Sequence, residues 1–84
     1  MAEIIMYTTG YCPYCSRARD LLNKKGTAFT DIRIDLQPEL RDEMIVKSGR
    51  RTVPQIFING QAIGGCDDLY ALEAQGKLNQ LLNE

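Results

Sequence analysis

Ile4-Ile5-Met6-Tyr7-Thr8 is a short apolar run, β-branched and aromatic in part, and it ends at Thr9-Gly10. It predicts a strand buried on both faces. Beyond it the period changes, since Cys15, Ala18, Leu21 and Leu22 recur at helical spacing. That helix opens at Pro13, a first-turn position where proline sacrifices only an N–H that would have had no partner. It stops at Lys24-Lys25-Gly26, where lysines complement the negative end of the dipole and glycine suits a left-handed cap. Phe29 to Asp35 then predicts a second strand, with Ile32 and Ile34 on one face. Pro38 and Glu39 open a second helix carrying Leu40, Met44 and Ile45 as its apolar positions, and Ser48-Gly49 closes it.

In the C-terminal half, Gln55-Ile56-Phe57-Ile58 and Gln61-Ala62-Ile63 flank Asn59-Gly60, a hairpin signal with its type I′ dipeptide in place. Gly64-Gly65 breaks the second of these strands, and Cys66-Asp67-Asp68 supplies a polar, acidic helix start. Leu69, Ala71 and Leu72 carry that helix toward Gly76, and Leu78, Leu81 and Leu82 predict a last helical turn or two docked on the core. The order is βαβ, α, then ββα. A right-handed parallel crossover plus a hairpin makes a four-stranded mixed sheet with helices on both faces, an α/β fold. In such sheets a site forms beyond the carboxyl end of a strand where a helix begins, and Cys12 falls there.

Composition narrows the class. Eighty-four residues, 44% hydrophobic and 25% charged, support one core, so residues 1–84 are read as a single domain. Ten basic against eleven acidic residues leave a net charge of −1, which argues against nucleic acid and against a membrane surface as partner. Residues 1–6 lack the basic and apolar regions of a signal peptide, and no apolar run approaches the roughly 20 residues of a membrane span. The chain reads as cytoplasmic, where thiols are kept reduced, so its three cysteines are not a secreted disulfide framework. With no histidine, a zinc site would need Cys12, Cys15, Cys66 and a carboxylate, away from the usual ligand sets, and no metal is expected.

Three stretches carry candidate chemistry. Cys12-Pro13-Tyr14-Cys15 places two thiols around a dipeptide at a helix start, where unpaired N–H groups favour a thiolate. Two buried cysteines acting as small hydrophobes are the plain alternative, but a pair bracketing a helix-start proline reads as redox-active. Cys12 is the expected nucleophile and Cys15 the partly buried resolving thiol. In Val53-Pro54 the proline is either an ordinary edge residue or a cis bond that leaves the Val53 backbone free to pair with an extended ligand. Gly64-Gly65-Cys66-Asp67-Asp68 is a strand-to-helix turn that also lets an anion such as an α-carboxylate approach backbone N–H groups. Cys66 alone reads as a buried free thiol.

Cys12-Pro13-Tyr14-Cys15, Thr52-Val53-Pro54 and Gly64 to Asp68, in this order over essentially the whole chain, resemble the glutaredoxins, in particular the small bacterial dithiol type. The resemblance implies a thioredoxin fold, a cis bond before Pro54, and glutathione as reductant and co-substrate. It implies a glutathione-dependent disulfide oxidoreductase that reduces protein disulfides and glutathione mixed disulfides and contributes to cell redox homeostasis. Glutathione would pair with the Val53 backbone between Thr52 and Pro54, its γ-glutamyl end would meet Gly65, Cys66 and Asp67, and Tyr14 would flank its sulfur. Much of the family has a lysine three residues before the first motif cysteine. Here that residue is Thr9, which leaves Arg41 and Arg51 as the candidate carboxylate partners.

Partners implied by the resemblance are glutathione and glutathionylated or disulfide-containing proteins, ribonucleotide reductase being one candidate, and nothing in the sequence demands more than a monomer. Two rival readings stand beside this one: a protein of the same shape reduced by thioredoxin reductase, with Thr9 in its favour, and a dimer holding an iron–sulfur cluster through one cysteine per chain and two glutathiones. Pro13 beside Cys12 and the dithiol motif argue against the second.

Overall fold

A computed structural model describes residues 2–83. The elements run β1 (Ile4–Thr8), α1 (Pro13–Lys24), β2 (Thr30–Arg33), α2 (Glu39–Ser48), β3 (Gln55–Ile58), β4 (Gln61–Gly64), α3 (Cys66–Ala74) and α4 (Lys77–Leu82). The sheet order is β2-β1-β3-β4. β1 pairs in parallel with β2, Tyr7 opposite Ile32, and antiparallel with β3, Ile5 opposite Phe57. β3 and β4 form the antiparallel hairpin, with Asn59 at φ 52° and Gly60 at φ 81°, the left-handed pair that the turn requires.

Alternation along the central strands builds two cores. Ile4, Met6, Ile56 and Ile58 turn to one face and pack with Ala18, Leu21 and Leu22 of α1, Leu69 of α3 and Leu78 of α4. Tyr7 and Phe57 turn to the other, with Ile34 and with Met44 of α2, while Ile5, Ile32, Leu40 and Ile45 cover them. Helices thus cover both faces of the four-stranded mixed sheet. Each fully buried leucine contributes roughly 1.5–3 kcal/mol of transfer free energy. Among the described residues no helix is long and apolar enough to cross a membrane.

Two elements differ from the sequence pattern. β2 is shorter than Phe29 to Asp35, because the chain turns at Ile34 to Leu36 and Arg33 is bound to Asp35 at 2.7 Å. Ile34 still donates its N–H to the Thr8 carbonyl at 2.9 Å and stays buried, so the apolar pattern outlasts the strand. The C-terminal end adds one element to the predicted ββα order: the helix stops before Gly76 as expected, Gly76 adopts φ 73°, and the last leucines form the separate helix α4.

On the α2 face Tyr7 is 1% exposed, meets Phe57 edge to face at 5.7 Å, and donates its hydroxyl to Glu43 at 2.9 Å. Burial, and then Glu43, push the Tyr7 phenol up to about 12. The folded chain therefore holds this proton more tightly than the unfolded one, and the associated stability is complete below the ordinary phenol range. It is lost as pH rises from about 10 toward 12. Urea midpoints at neutral and at strongly alkaline pH are expected to diverge less in Tyr7→Phe than in wild type. An equal alkaline loss in both proteins would exclude Tyr7 as its source.

Candidate active site

β1 ends at Thr8, and the loop through Thr9, Gly10 and Tyr11 delivers Cys12 as the N-cap of α1, with φ −92° and ψ 118°. No side chain caps this end, so the first-turn N–H groups and the positive end of the dipole lie open beside the Cys12 sulfur. Pro13 holds the first turn and Ser16 N–H closes on the Cys12 carbonyl at 3.2 Å. Cys12 is partly exposed, whereas Cys15, one turn along, is fully buried. Burial pushes the Cys15 thiol up to about 11, the Thr9 N–H and Arg19 working against it and the Cys12 thiol with it. Cys15 therefore carries a proton at neutral pH.

The Val53–Pro54 peptide is cis. Val53 lies before β3, outside the ladder that pairs Gln55 with Tyr7, and its carbonyl receives the Cys12 thiol at 3.9 Å. The loop is held from below by Gln55, 1% exposed, whose amide donates to the Thr52 carbonyl at 2.9 Å and to the Thr52 hydroxyl at 3.2 Å.

Gly65 is the N-cap of α3, and its N–H donates to the Asp68 carboxylate at 2.9 Å. Asp68 also holds Arg50 at 3.1 Å, and these two contacts draw its carboxyl below the usual range, the Gly65 N–H first. Gly64 takes φ 116°, and a Cβ there would run into the Asp68 carboxylate. Burial pushes the Cys66 thiol up, with Arg17 opposing.

These segments enclose a cleft of about 210 Å³, lined by Tyr14 from α1, by Arg50 and Thr52 to Pro54 from the loop before β3, and by Gly65 to Asp68 from the start of α3. Tyr14, Thr52, Val53, Pro54, Gly65, Cys66 and Asp67 are thus brought together, and the Cys12 thiol bonds to the same Val53. Arg41 and Arg51 do not line the cleft. Both are exposed, and the Arg41 guanidinium turns to the Arg51 carbonyl at 3.5 Å. Arg50, drawn across by Asp68 at 3.1 Å, takes the cleft position that the sequence assigned to Arg51. Sequence reasoning also missed Gln55, whose one signal was a polar side chain leading an apolar strand. Among the described residues no cluster of three or more His, Cys, Asp or Glu could hold a metal ion.

A family model described as Glutaredoxin matches residues 4–63. The chain belongs to the glutaredoxin family. It is 57% identical over 82 residues to Glutaredoxin 3 of Escherichia coli (strain K12), across 98% of this chain and 99% of that protein. The crystal structure of the buckwheat glutaredoxin-glutathione complex aligns with a TM-score of 0.91 at 32% identity, over 98% of this chain and 77% of that one. The solution structure of glutaredoxin from Brucella melitensis gives 0.85 at 56% identity, over 98% and 89%. This glutaredoxin is a thiol–disulfide oxidoreductase with the thioredoxin fold.

Proposed function

We propose that this glutaredoxin takes its electrons from glutathione, with Cys12 as nucleophile and Cys15 as resolving thiol, and that it works on mixed disulfides and protein disulfides in the cytoplasm. The observation that carries this reading is the contact of the Cys12 thiol with the Val53 carbonyl at the cleft. A peptide-like thiol laid along Val53 would have its sulfur beside Cys12 and an anionic end near the Gly65 to Asp68 turn. The buckwheat relative, described as a glutathione complex, supports the same choice of ligand.

The Cys12 thiolate attacks the glutathione sulfur of a mixed disulfide, a Cys12–glutathione bond forms, and the protein thiol leaves with the electron pair and takes a proton. A second glutathione thiolate then attacks that bond and departs as glutathione disulfide. For a protein disulfide, Cys15 instead attacks the Cys12 sulfur, expels the substrate thiol, and leaves a Cys12–Cys15 disulfide for two glutathiones to reduce.

An NADPH-coupled assay on a glutathione mixed disulfide, driven by glutathione and glutathione reductase, should show turnover that thioredoxin reductase does not support. Turnover with thioredoxin reductase and none with glutathione would replace this reading with its rival. In the same assay Thr9→Lys is expected to lower KM for glutathione three- to tenfold. A charge-assisted hydrogen bond is worth roughly 1.5–3 kcal/mol, and part of that is offset by turning the lysine stem out of a position where Thr9 is buried. An unchanged KM would mean that the cleft already meets the ligand's carboxylates without a cation there.

A further inference from the structure

Arg19 belongs to none of the three motifs, yet it is one helical turn from Cys15 on the same side of α1. On sequence alone it is a solvated surface charge. In the fold its side chain is 21% exposed and gripped at three points. Nε donates to Asp31 of β2 at 2.7 Å, while Nη2 donates to the Thr8 hydroxyl at 2.8 Å and to the Thr9 carbonyl at 3.5 Å. Thr8, fully buried, donates its own hydroxyl to Asp31. Asp31, Arg19 and Thr8 therefore form a closed polar ring across the end of β1, directly before the loop that leads to the thiols. A lysine could not make this grip, because only a planar fork reaches several fixed acceptors at once.

The cations and carboxylates around Cys15 are few. The Arg19 charge acts on it from one turn along its own helix, and that of Arg33 acts on it from β2, where the guanidinium packs against Gly10. Asp31 holds the first arginine and Asp35 the second. The Cys12 thiol faces it from the helix N-terminus and the Thr9 N–H from the end of β1.

We propose that Arg19 is a positioning residue for the resolving step: it fixes the Thr9 peptide against the Cys15 sulfur and sets a positive charge beside the thiolate that Cys15 must become. In that step the Cys15 thiol gives its proton to water, and the thiolate's electron pair forms the bond to the Cys12 sulfur. The bond from Cys12 to the substrate sulfur breaks, and the leaving thiolate carries its electron pair away, so the dithiol is oxidised and the substrate reduced. The inference rests on the roles proposed above for Cys12 and Cys15, and not on glutathione as the reductant.

The test therefore uses no glutathione. In a Cys66→Ser background the reduced protein is mixed with an aromatic disulfide, 5,5′-dithiobis(2-nitrobenzoate). The first coloured thiolate reports capture by Cys12, and the second reports closure of Cys12 with Cys15. Arg19→Met is expected to slow the second release about threefold at neutral pH and to move its pH profile upward. A thiol made tenfold less acidic holds about tenfold less thiolate at neutral pH, and the greater nucleophilicity of what remains returns about threefold. Arg19→Lys should restore part of the rate. A folded Arg19→Met with wild-type closure and pH profile overturns the proposal. So does a variant that loses stability, by urea midpoint, with no movement of the profile, since that would mark a structural role only. A second release that persists in Cys15→Ser removes Cys15 from the step, and Arg19 with it.

Discussion

Cys15→Ser is expected to keep its turnover of glutathione mixed disulfides within a few-fold of wild type while losing reduction of protein disulfides that need both thiols. Capture of a glutathione sulfur requires only the partly exposed Cys12 at the open helix end. Release by a second glutathione does not involve the buried thiol either. Closing the dithiol does, and the thiol that hydrogen-bonds to Cys12 is that of Cys15, one turn along α1. Serine is close in size to cysteine and its hydroxyl can accept from the Thr9 N–H, so the fully buried position should tolerate it. The measurement is a pair of coupled assays, one on a small glutathione mixed disulfide and one on a protein with an intramolecular disulfide. Equal loss in both would mean that Cys15 supports Cys12 in the first attack, and the division of roles would have to be abandoned.

Gly64→Ala should be the most damaging single methyl group in the chain. The backbone there has φ 116°, which side-chain-bearing residues rarely adopt, and the new Cβ would collide with the Asp68 carboxylate. That carboxylate cannot move aside cheaply, because it accepts from the Gly65 N–H at 2.9 Å and from Arg50 at 3.1 Å. Backbone strain of roughly 1–3 kcal/mol and a lost charge-assisted bond that solvent reduces to about 1 kcal/mol, the Asp68 side chain being half exposed, give an expected destabilisation of about 2–4 kcal/mol. The same variant should raise KM for glutathione, since the turn from Gly65 to Asp68 is one wall of the cleft. Urea unfolding and the glutathione-coupled assay read the two effects. A wild-type midpoint would show that the turn can relax without Asp68.

Most of the architecture was legible because local signals agreed with one another. Asn59-Gly60 fixed a hairpin, Pro13 and Pro38 marked helix starts, and the unbroken apolar run of β1 marked a strand buried on both faces. The cleft walls were legible because they lie on motifs. What escaped were effects of neighbours distant in sequence or set by the local turn of the chain. β2 stops at Arg33, where the chain turns and Arg33 binds Asp35, and no periodicity records an ion pair. Arg50 and Arg51 are chemically alike and adjacent, so only the direction of the loop, fixed by Asp68 eighteen residues on, tells them apart. Arg19 reads as ordinary helix surface until β2 brings Asp31 beside it.

The cleft draws its walls from Tyr14, from Arg50 and Thr52 to Pro54, and from Gly65 to Asp68, joined through the pairing of β1 with β3 and of β3 with β4. As the chain is synthesised, both thiols of the motif are complete by residue 15, whereas the last wall is made some fifty residues later. A chain halted anywhere in that interval carries both thiols but lacks the wall from Gly65 to Asp68. The two sulfurs are encoded early and side by side, and the cleft beside them is assembled late, from contacts that exist only once the hairpin has closed on β1.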